Sequence, residues 1–260
     1  DHIIVADIFS LHELVNALAT RNTPASVIES KVATYLQKLP SNSTPSSMDV
    51  KLYSMLMHAY AKEGNLESTI GLLEKMRACN LVPNVYSYSA ILISCRDEID
   101  LAETWMKQIA TDIGPTGELN AVIFNTMIDI IAKADSFWRS KGRPRGTRAQ
   151  HWFNIMQQYN IDPNHNTYNC LLSACAKDGN AKMTLLYFDR LRKQLPAKHR
   201  SSAYAATPYN IVLDSFAKAG DAKGAVNFLT NTMLAKDNVK PTLVSFSCII
   251  KAFVKVDDAE

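Results

Sequence analysis

Residues 50–84 read VKLYSMLMHAYAKEGNLESTIGLLEKMRACNLVPN. Tyr53, Leu56, Met57 and Tyr60 recur at helical spacing, which predicts a first helix ending near Lys62-Glu63-Gly64-Asn65. Gly64 suits the left-handed turn that closes a helix C-terminus. A second helix is predicted from Leu66 to Cys79, with Ile70, Leu73 and Met76 on its apolar face, and Pro83-Asn84 stops it. The stretch is a helix–turn–helix hairpin with a two-residue exit.

That hairpin is repeated along the chain. An aromatic followed by Ser or Asn occurs at Tyr53-Ser54, Tyr88-Ser89, Phe124-Asn125, Tyr168-Asn169, Tyr209-Asn210 and Phe246-Ser247, in steps of 35, 36, 44, 41 and 37 residues. The turn returns at Ala176 to Asn180 and Ala217 to Asp221, and the exit at Asp162-Pro163-Asn164 and Lys240-Pro241-Thr242. The second apolar face returns as Trp152-Phe153-Met156, Tyr187-Phe188-Leu191 and Phe228-Leu229-Met233. A period of this length means stacked helical pairs, none able to bury its apolar face alone. The units are read as 50–84, 85–120, 121–164, 165–205, 206–242 and a truncated 243–260. The unit from Val85 has a shortened turn at Cys95 to Ile99 and an extended exit at Gly114 to Leu119. Extra residues around Ser136 to Thr147 and Pro196 to Ala205 are expected in loops.

Bulk composition agrees with an array. Of 260 residues, 47% are hydrophobic, enough for a continuous core, and no apolar run reaches the ~18 residues of a membrane span. The formal net charge of +3 is too small to announce nucleic acid by itself, so any such role rests on where the cations sit. Cys79, Cys95, Cys170, Cys175 and Cys248 contain no Cys-x-x-Cys pair and read as reduced thiols, mostly in the core. Residues 1–49 lack the motif. Ile3 to Leu18 and Ala25 to Leu39 read as two helices, the second entered with Thr23 as N-cap and Pro24 in the first helical position. Pro40 to Met48 reads as a polar linker, and the region as a degenerate repeat or cap, with a separate docking element as the alternative. The sequence starts without Met and stops inside a repeat, so it reads as a piece of a longer chain, any targeting peptide or catalytic domain lying outside it.

These features resemble the pentatricopeptide repeat family of 35-residue hairpins, with an aromatic at position 4, Lys near 13, Gly at 15, Met near 27 and Pro at 34. The resemblance covers Val50 to Glu260. The tetratricopeptide family would want a Trp-Leu-Gly-Tyr pattern in the first helix, which is missing. The resemblance implies an all-α fold, an α-solenoid winding as a right-handed superhelix, whose concave groove reads single-stranded RNA at about one base per repeat. It implies that positions 5 and 35 bond the base edge and that position 2 packs on its face. Carried over by position, the pairs are Ser54 with Asn84, Ser89 with Asn120, Asn125 with Asn164, and Asn210 with Thr242. Asn169 has only Ala205 as a suggested partner, and Ser247 begins a pair that is cut off. Among the residues at position 2, Tyr86, Val122 and Val244 offer a face for a base. A short hydroxyl at position 5 leaves room for a purine, an Asn amide reaches a pyrimidine, and Asn at 35 accepts from an exocyclic amino group. The implied preference is A, A, C and then two pyrimidines. The competing reading has these Ser and Asn side chains pairing only with the backbone.

Two further signals come from the charges. Lys62, Lys133, Lys177, Lys218 and Lys255 share position 13, so stacking would align them as a track for phosphates, although helix-end cations also complement the macrodipole. Arg139, Lys141, Arg143, Arg145 and Arg148 form a basic run without an acid, and its Gly and Pro predict a mobile loop for RNA or an acidic protein face. The six histidines are scattered singly and read as surface or groove residues. No phosphate loop, His-Glu-x-x-His or zinc-deaminase pattern is present, so neither a catalyst nor a cofactor or metal is expected, and no small-molecule substrate or membrane. The expected function is that of an RNA-binding protein of mitochondria or chloroplasts acting in RNA processing, stability or translation. The alternative is a structural subunit of a large organellar ribonucleoprotein or transcription assembly, contacting rRNA or protein.

Overall fold

In a computed structural model of the chain, residues 8–37, 48–114, 119–134, 144–194 and 206–257 are described. All their regular structure is helical, in two compact units, 1–126 and 127–260. None of these helices is long and apolar enough to cross a membrane.

The first unit contains α1 (Ile8–Thr20), α2 (Ala25–Gln37), α3 (Val50–Glu63), α4 (Leu66–Ala78), α5 (Val85–Ser94) and α6 (Ile99–Ile113). The boundary falls within α7 (Ala121–Lys133). Each first helix packs on the two helices before it: α3 lies against α1 and α2, and α5 against α3 and α4. The N-terminal pair therefore meets α3 as a repeat would. The helix boundaries follow local chemistry. Asp49 accepts from Leu52 N to start α3, Gly64 at φ 74° closes it, and Asn65 caps α4 through Ser68 N. Tyr53, Leu56, Met57 and Tyr60 are all buried beneath α4 and α2. In α4 the buried face is Thr69, Leu72, Leu73 and Met76, whereas Ile70 is only half-buried. Thr69 takes the inward place because its hydroxyl bonds Asn65 O and Ser94 Oγ, so a polar group is accommodated without an orphan. Helix α2 starts at Ala25 as expected, with Pro24 just before it rather than in the first helical position, and the Ala25 N–H donates to Glu63 Oε1 at 2.7 Å.

The second unit contains α8 (Arg145–Gln158), α9 (His165–Lys177), α10 (Ala181–Gln194), α11 (Ala206–Ala219), α12 (Ala222–Asn227) and α13 (Leu243–Asp257). The same packing recurs: α11 lies on α9 and α10, and α13 on α11 and α12. Trp152, Phe153, Met156, Tyr187, Phe188, Leu191, Phe228, Leu229 and Met233 are buried as the sequence predicts. The rings of Phe188, Tyr209 and Phe228 meet edge-to-face or tilted at 4.8–6.1 Å. Helix α12 runs on as π-helix over Phe228–Lys236. Its repeat, 206–242, is two residues longer than 50–84, and widened turns absorb the excess. Met76 O and Met156 O accept from the residue five on, whereas Met233 O accepts from Val239, six on. Asn80, Asn160 and Asn238 close these second helices in the left-handed region, where Asn is well tolerated.

An Arg–Tyr–Asp clamp appears once in each unit. Tyr88 OH donates to Asp112 Oδ2, which also receives Arg77. Tyr209 OH donates to Asp237 Oδ2 at 2.8 Å while Arg192 bonds Oδ1. Position-4 tyrosines thus tie consecutive hairpins as well as filling the core. Cys95, Cys175 and Cys248 are buried, Cys170 half-buried and Cys79 exposed, so most of the thiols lie in the core as expected. Burial pushes the Cys95, Cys170 and Cys175 thiols up to about 12, leaving them protonated at neutral pH.

Candidate nucleic-acid interface

The start of each first helix places position 2 outward. Lys51, Tyr86, Val122, Asn166, Thr207 and Val244 are all exposed, with Tyr86 at 59%. Position 5 is one turn deeper and depends on residue type. Ser54 and Ser89 are buried, Asn125, Asn169 and Asn210 half-buried, and Ser247 exposed. Position 35 lies at the helix entry: Asn84 is half-buried, and Asn120, Asn164 and Thr242 are exposed.

Two of the expected pairs are linked by hydrogen bonds, one through a third side chain. Ser54 Oγ lies 2.8 Å from Ser87 Oγ, which in turn lies 3.3 Å from Asn84 Oδ1. Asn210 Nδ2 donates directly to Thr242 Oγ1 at 3.2 Å, and Asn210 Oδ1 accepts from Ser245 Oγ at 2.5 Å. Asn84 also caps α5 through Tyr86 N and Ser87 N, and Asn164 forms a reciprocal capping box with Thr167. Asn120 accepts from Val122 N. The serines turn their hydroxyls to the main chain as well: Ser54 to Val50 O, Ser89 to Tyr86 O and Ser247 to Leu243 O. Backbone pairing and placement at the face thus coexist. Ala205 lies outside the described residues.

The Ser54–Asn84 pair borders a cleft of about 500 Å³ in the first unit. Val15, Asn16 and Ala19 of α1 form one wall, Lys51, Ser54, His58 and Lys62 of α3 another, and Asn84 with Tyr86 the rim. The residues expected to read, stack and hold phosphate therefore share one cavity. His58, read from sequence only as surface or groove, contacts Ser89 Oγ at 3.3 Å. Burial holds its pKa below the ordinary value, the nearby Lys62 cation adds to this, and a hydrogen bond to the Tyr86 carbonyl opposes it. His12 is buried, not superficial, and its Nε2 lies 3.0 Å from Asp49 Oδ1. Counted from Ile8 and Val50, His12 and Asp49 occupy the places that Ser54 and Asn84 hold in the next hairpin.

Two of the position-13 lysines, and one arginine beside that position, stack on the glycine corners. In the second unit Lys218 packs over Gly179 and Lys255 over Gly220, and Lys255 Nζ donates to Lys218 O. In the first, Arg96 packs over Gly64 and donates to Lys62 O at 3.0 Å. Arg96 fills the place left without a lysine, one residue early because α5 is short. A helix-end carbonyl is thus one partner of Lys255 and of Arg96. Lys133 and Lys218 also bond Asp129 and Asp214 one turn back, at 2.7 and 2.5 Å. Lys62 is exposed and Lys177 half-buried.

The expected basic loop is corrected at its C-terminal end: Arg145 and Arg148 belong to α8. Pro144 supplies a fixed φ just before that helix, Gly146 N donates to Asp178 Oδ2 at 2.8 Å, and Arg145 donates to Ala134 O. A Cβ on Gly146 would stand 3.0 Å from Cys175 Sγ and 3.4 Å from Cys175 Cα, so a larger residue here would need α9 to give by a few tenths of an ångström. Arg139, Lys141 and Arg143 lie outside the described residues.

The sequence matches two family models, the PPR repeat family over residues 48–97 and the pentatricopeptide repeat domain over 153–195 and 204–256. The chain belongs to the pentatricopeptide repeat family. Among curated relatives, the pentatricopeptide repeat-containing protein At1g06140, mitochondrial, of Arabidopsis thaliana is 24% identical over 232 residues, 80% of this chain and 39% of its own. The mitochondrial 15S rRNA processing factor CCM1 of Yarrowia lipolytica is 26% identical over 156 residues, 57% of this chain and 19% of its own. The chain thus spans about two fifths or less of these relatives. The pentatricopeptide repeat protein PPR10 in complex with an 18-nt psaJ RNA element superposes with a TM-score of 0.50 at 18% identity, covering 98% of this chain and 38% of that one. That likeness supports the α-solenoid fold.

Proposed function

We propose that this pentatricopeptide repeat chain binds single-stranded RNA along its first helices, about one base per repeat, and acts in RNA processing, stability or translation in mitochondria or chloroplasts. The observation that carries this reading is the cleft in which Ser54, Asn84, Tyr86 and Lys62 converge. A nucleotide needs an edge partner, a face and a cation, and these residues supply one of each. The base-edge residues are taken as Ser54, Asn84, Ser89, Asn120, Asn125, Asn164, Asn169, Asn210, Thr242 and Ser247, and the stacking residues as Tyr86, Val122 and Val244. The names of the relatives support both parts of the reading: several are mitochondrial or chloroplastic, one is an rRNA processing factor, and PPR10 was solved with RNA.

A second reading makes the same chain a structural subunit of an organellar ribonucleoprotein, contacting rRNA or protein. The Ser54 and Ser89 hydroxyls favour it, because both already bond main-chain carbonyls. Binding of the chain to fluorescent 20-nucleotide single-stranded and double-stranded RNA, titrated with salt, separates the two. The RNA-track reading expects preference for the single strand with a log–log salt slope of about −3 to −4 from five contacts. Equal, weak binding of both forms would favour the scaffold.

A further inference from the structure

The two reading pairs joined in space are each held by a hydroxyl from the following unit. Ser245, fully buried, accepts the Thr242 N–H at 2.9 Å and lies 2.5 Å from Asn210 Oδ1. A hydroxyl has one proton. With the Thr242 N–H on its lone pair, Ser245 Oγ turns that proton to Asn210 Oδ1, which fixes the amide oxygen inward. Asn210 Nδ2 then faces Thr242 Oγ1, and its second N–H remains as the group the side chain can offer outward. An amide turned over would exchange the 2.5 Å contact between Ser245 and Asn210 Oδ1 for a proton turned to Thr242 Oγ1, 3.3 Å away, so the shorter contact favours the orientation observed. One contact thus selects between two orientations that are otherwise equivalent in shape.

Ser87 has the same place one compact unit earlier. It is fully buried, 2.8 Å from Ser54 Oγ, while Ser54 Oγ donates to Val50 O at 2.8 Å. With the Ser54 proton on Val50 O, Ser87 is the donor between the two hydroxyls: its 2.8 Å contact to Ser54 is shorter than those to Asn84 Oδ1 at 3.3 Å and Met76 Sδ at 3.8 Å, and Asn84 Oδ1 already accepts from Tyr86 N and Ser87 N. Ser54 is left as an acceptor toward the cleft. Asn169 provides the contrast within the chain. The equivalent position of its following unit is Pro208, which has no hydroxyl. Asn169 Oδ1 is buried and without a hydrogen-bond partner among the described residues.

We infer that Ser87 and Ser245 are positioning residues that set the hydrogen-bond polarity of Ser54 and Asn210, and through it the base edge each accepts. The inference rests on the RNA-binding reading. An acceptor at Ser54 matches the exocyclic amino group of adenine, and a donor at Asn210 matches a pyrimidine carbonyl. Neither Ser87 nor Ser245 touches the base; each acts through the side chain that does.

The test measures binding of the full chain to a panel of RNAs that vary one nucleotide at the Asn210 register. Wild type is expected to prefer a pyrimidine by about tenfold, one well-formed hydrogen-bond set. S245A should reduce that preference to less than about twofold, with affinity for the best sequence within about threefold, and S245T should restore it. S87A is the independent second variant, read at the Ser54 register, and thermal melts confirm that each variant folds. P208S should create a preference at the Asn169 register. Retention of the full wild-type preference in both S245A and S87A overturns the inference, as does an equal loss of affinity for every base. If wild type does not bind single-stranded RNA at all, the RNA-binding reading itself fails and this inference falls with it.

Discussion

The Ser54 cleft and the Asn210 site are the same two positions of one repeat, built in opposite ways. At Ser54 the side chain is short, buried to 6% exposure and bridged to Asn84 through Ser87, which leaves room above it in a 500 Å³ cleft. At Asn210 a longer amide reaches Thr242 directly through its own nitrogen. The backbone is shared, so the difference lies in side-chain reach and polarity. A repeat fold therefore fixes where a base would lie, while position 5 and the hydroxyl behind it decide what would be accepted. The same logic separates the cations. Lys62 borders the cleft, whereas Lys218 is partnered by Asp214 and by the stack over Gly179.

Charge reversal gives the largest expected effect and asks whether both sites lie on one phosphate track. K177E/K218E should flatten the salt slope for single-stranded RNA by about one to two and weaken binding at least tenfold near 0.1 M salt. An unchanged slope would detach the second unit from the track and leave the cleft as the only contact. Exchange of the position-5 residues addresses the contrast itself. S54N should move the preferred base at its register from adenine toward a pyrimidine, and N210S should do the reverse, each by about 1–2 kcal/mol or roughly tenfold. Unaltered preferences in a binding panel would assign specificity elsewhere.

The smallest effect concerns His58, which borders the cleft and has no counterpart at the Asn210 site, where Asp214 stands at the same position. Its folded pKa is depressed, so the folded protein binds fewer protons than the unfolded chain below the ordinary value near 6.5. Stability from this group is complete above that value and declines as pH falls toward the folded pKa. Bound phosphate favours the cation, so RNA affinity should rise a few-fold between pH 7.5 and 5.5 in wild type and stay flat in H58Q. Titration by fluorescence anisotropy at the two pH values reads this directly.

The repeat was legible because its punctuation is local: Tyr53 and Tyr88, Gly64, Gly179 and Gly220, and Pro83-Asn84 each act within a few residues. The site was legible only as far as those signals extend. Ser87, Thr167 and Ser245 follow Asn84, Asn164 and Thr242 by three residues, a capping pattern that could have disclosed the buried hydroxyls. The π turns were also visible, as a step of four from Leu229 to Met233 where Phe153 to Met156 and Phe188 to Leu191 step by three. Arg96 escaped because a shortened helix moves it one place out of register. The His12–Asp49 contact spans 37 residues and a stretch of Ser and Pro, so no local pattern announces it. Arg145 and Arg148 read as loop because composition outweighed Pro144 and the Gly146–Asp178 contact, which only packing discloses.

The most direct test of the central claim is selection of bound sequences from a random single-stranded RNA pool by the wild-type chain. An adenine is expected at the Ser54 register and a pyrimidine at the Asn210 register, four nucleotides apart at one base per repeat. Bound RNA without enrichment at either register would contradict it and leave the first-helix face as a scaffold.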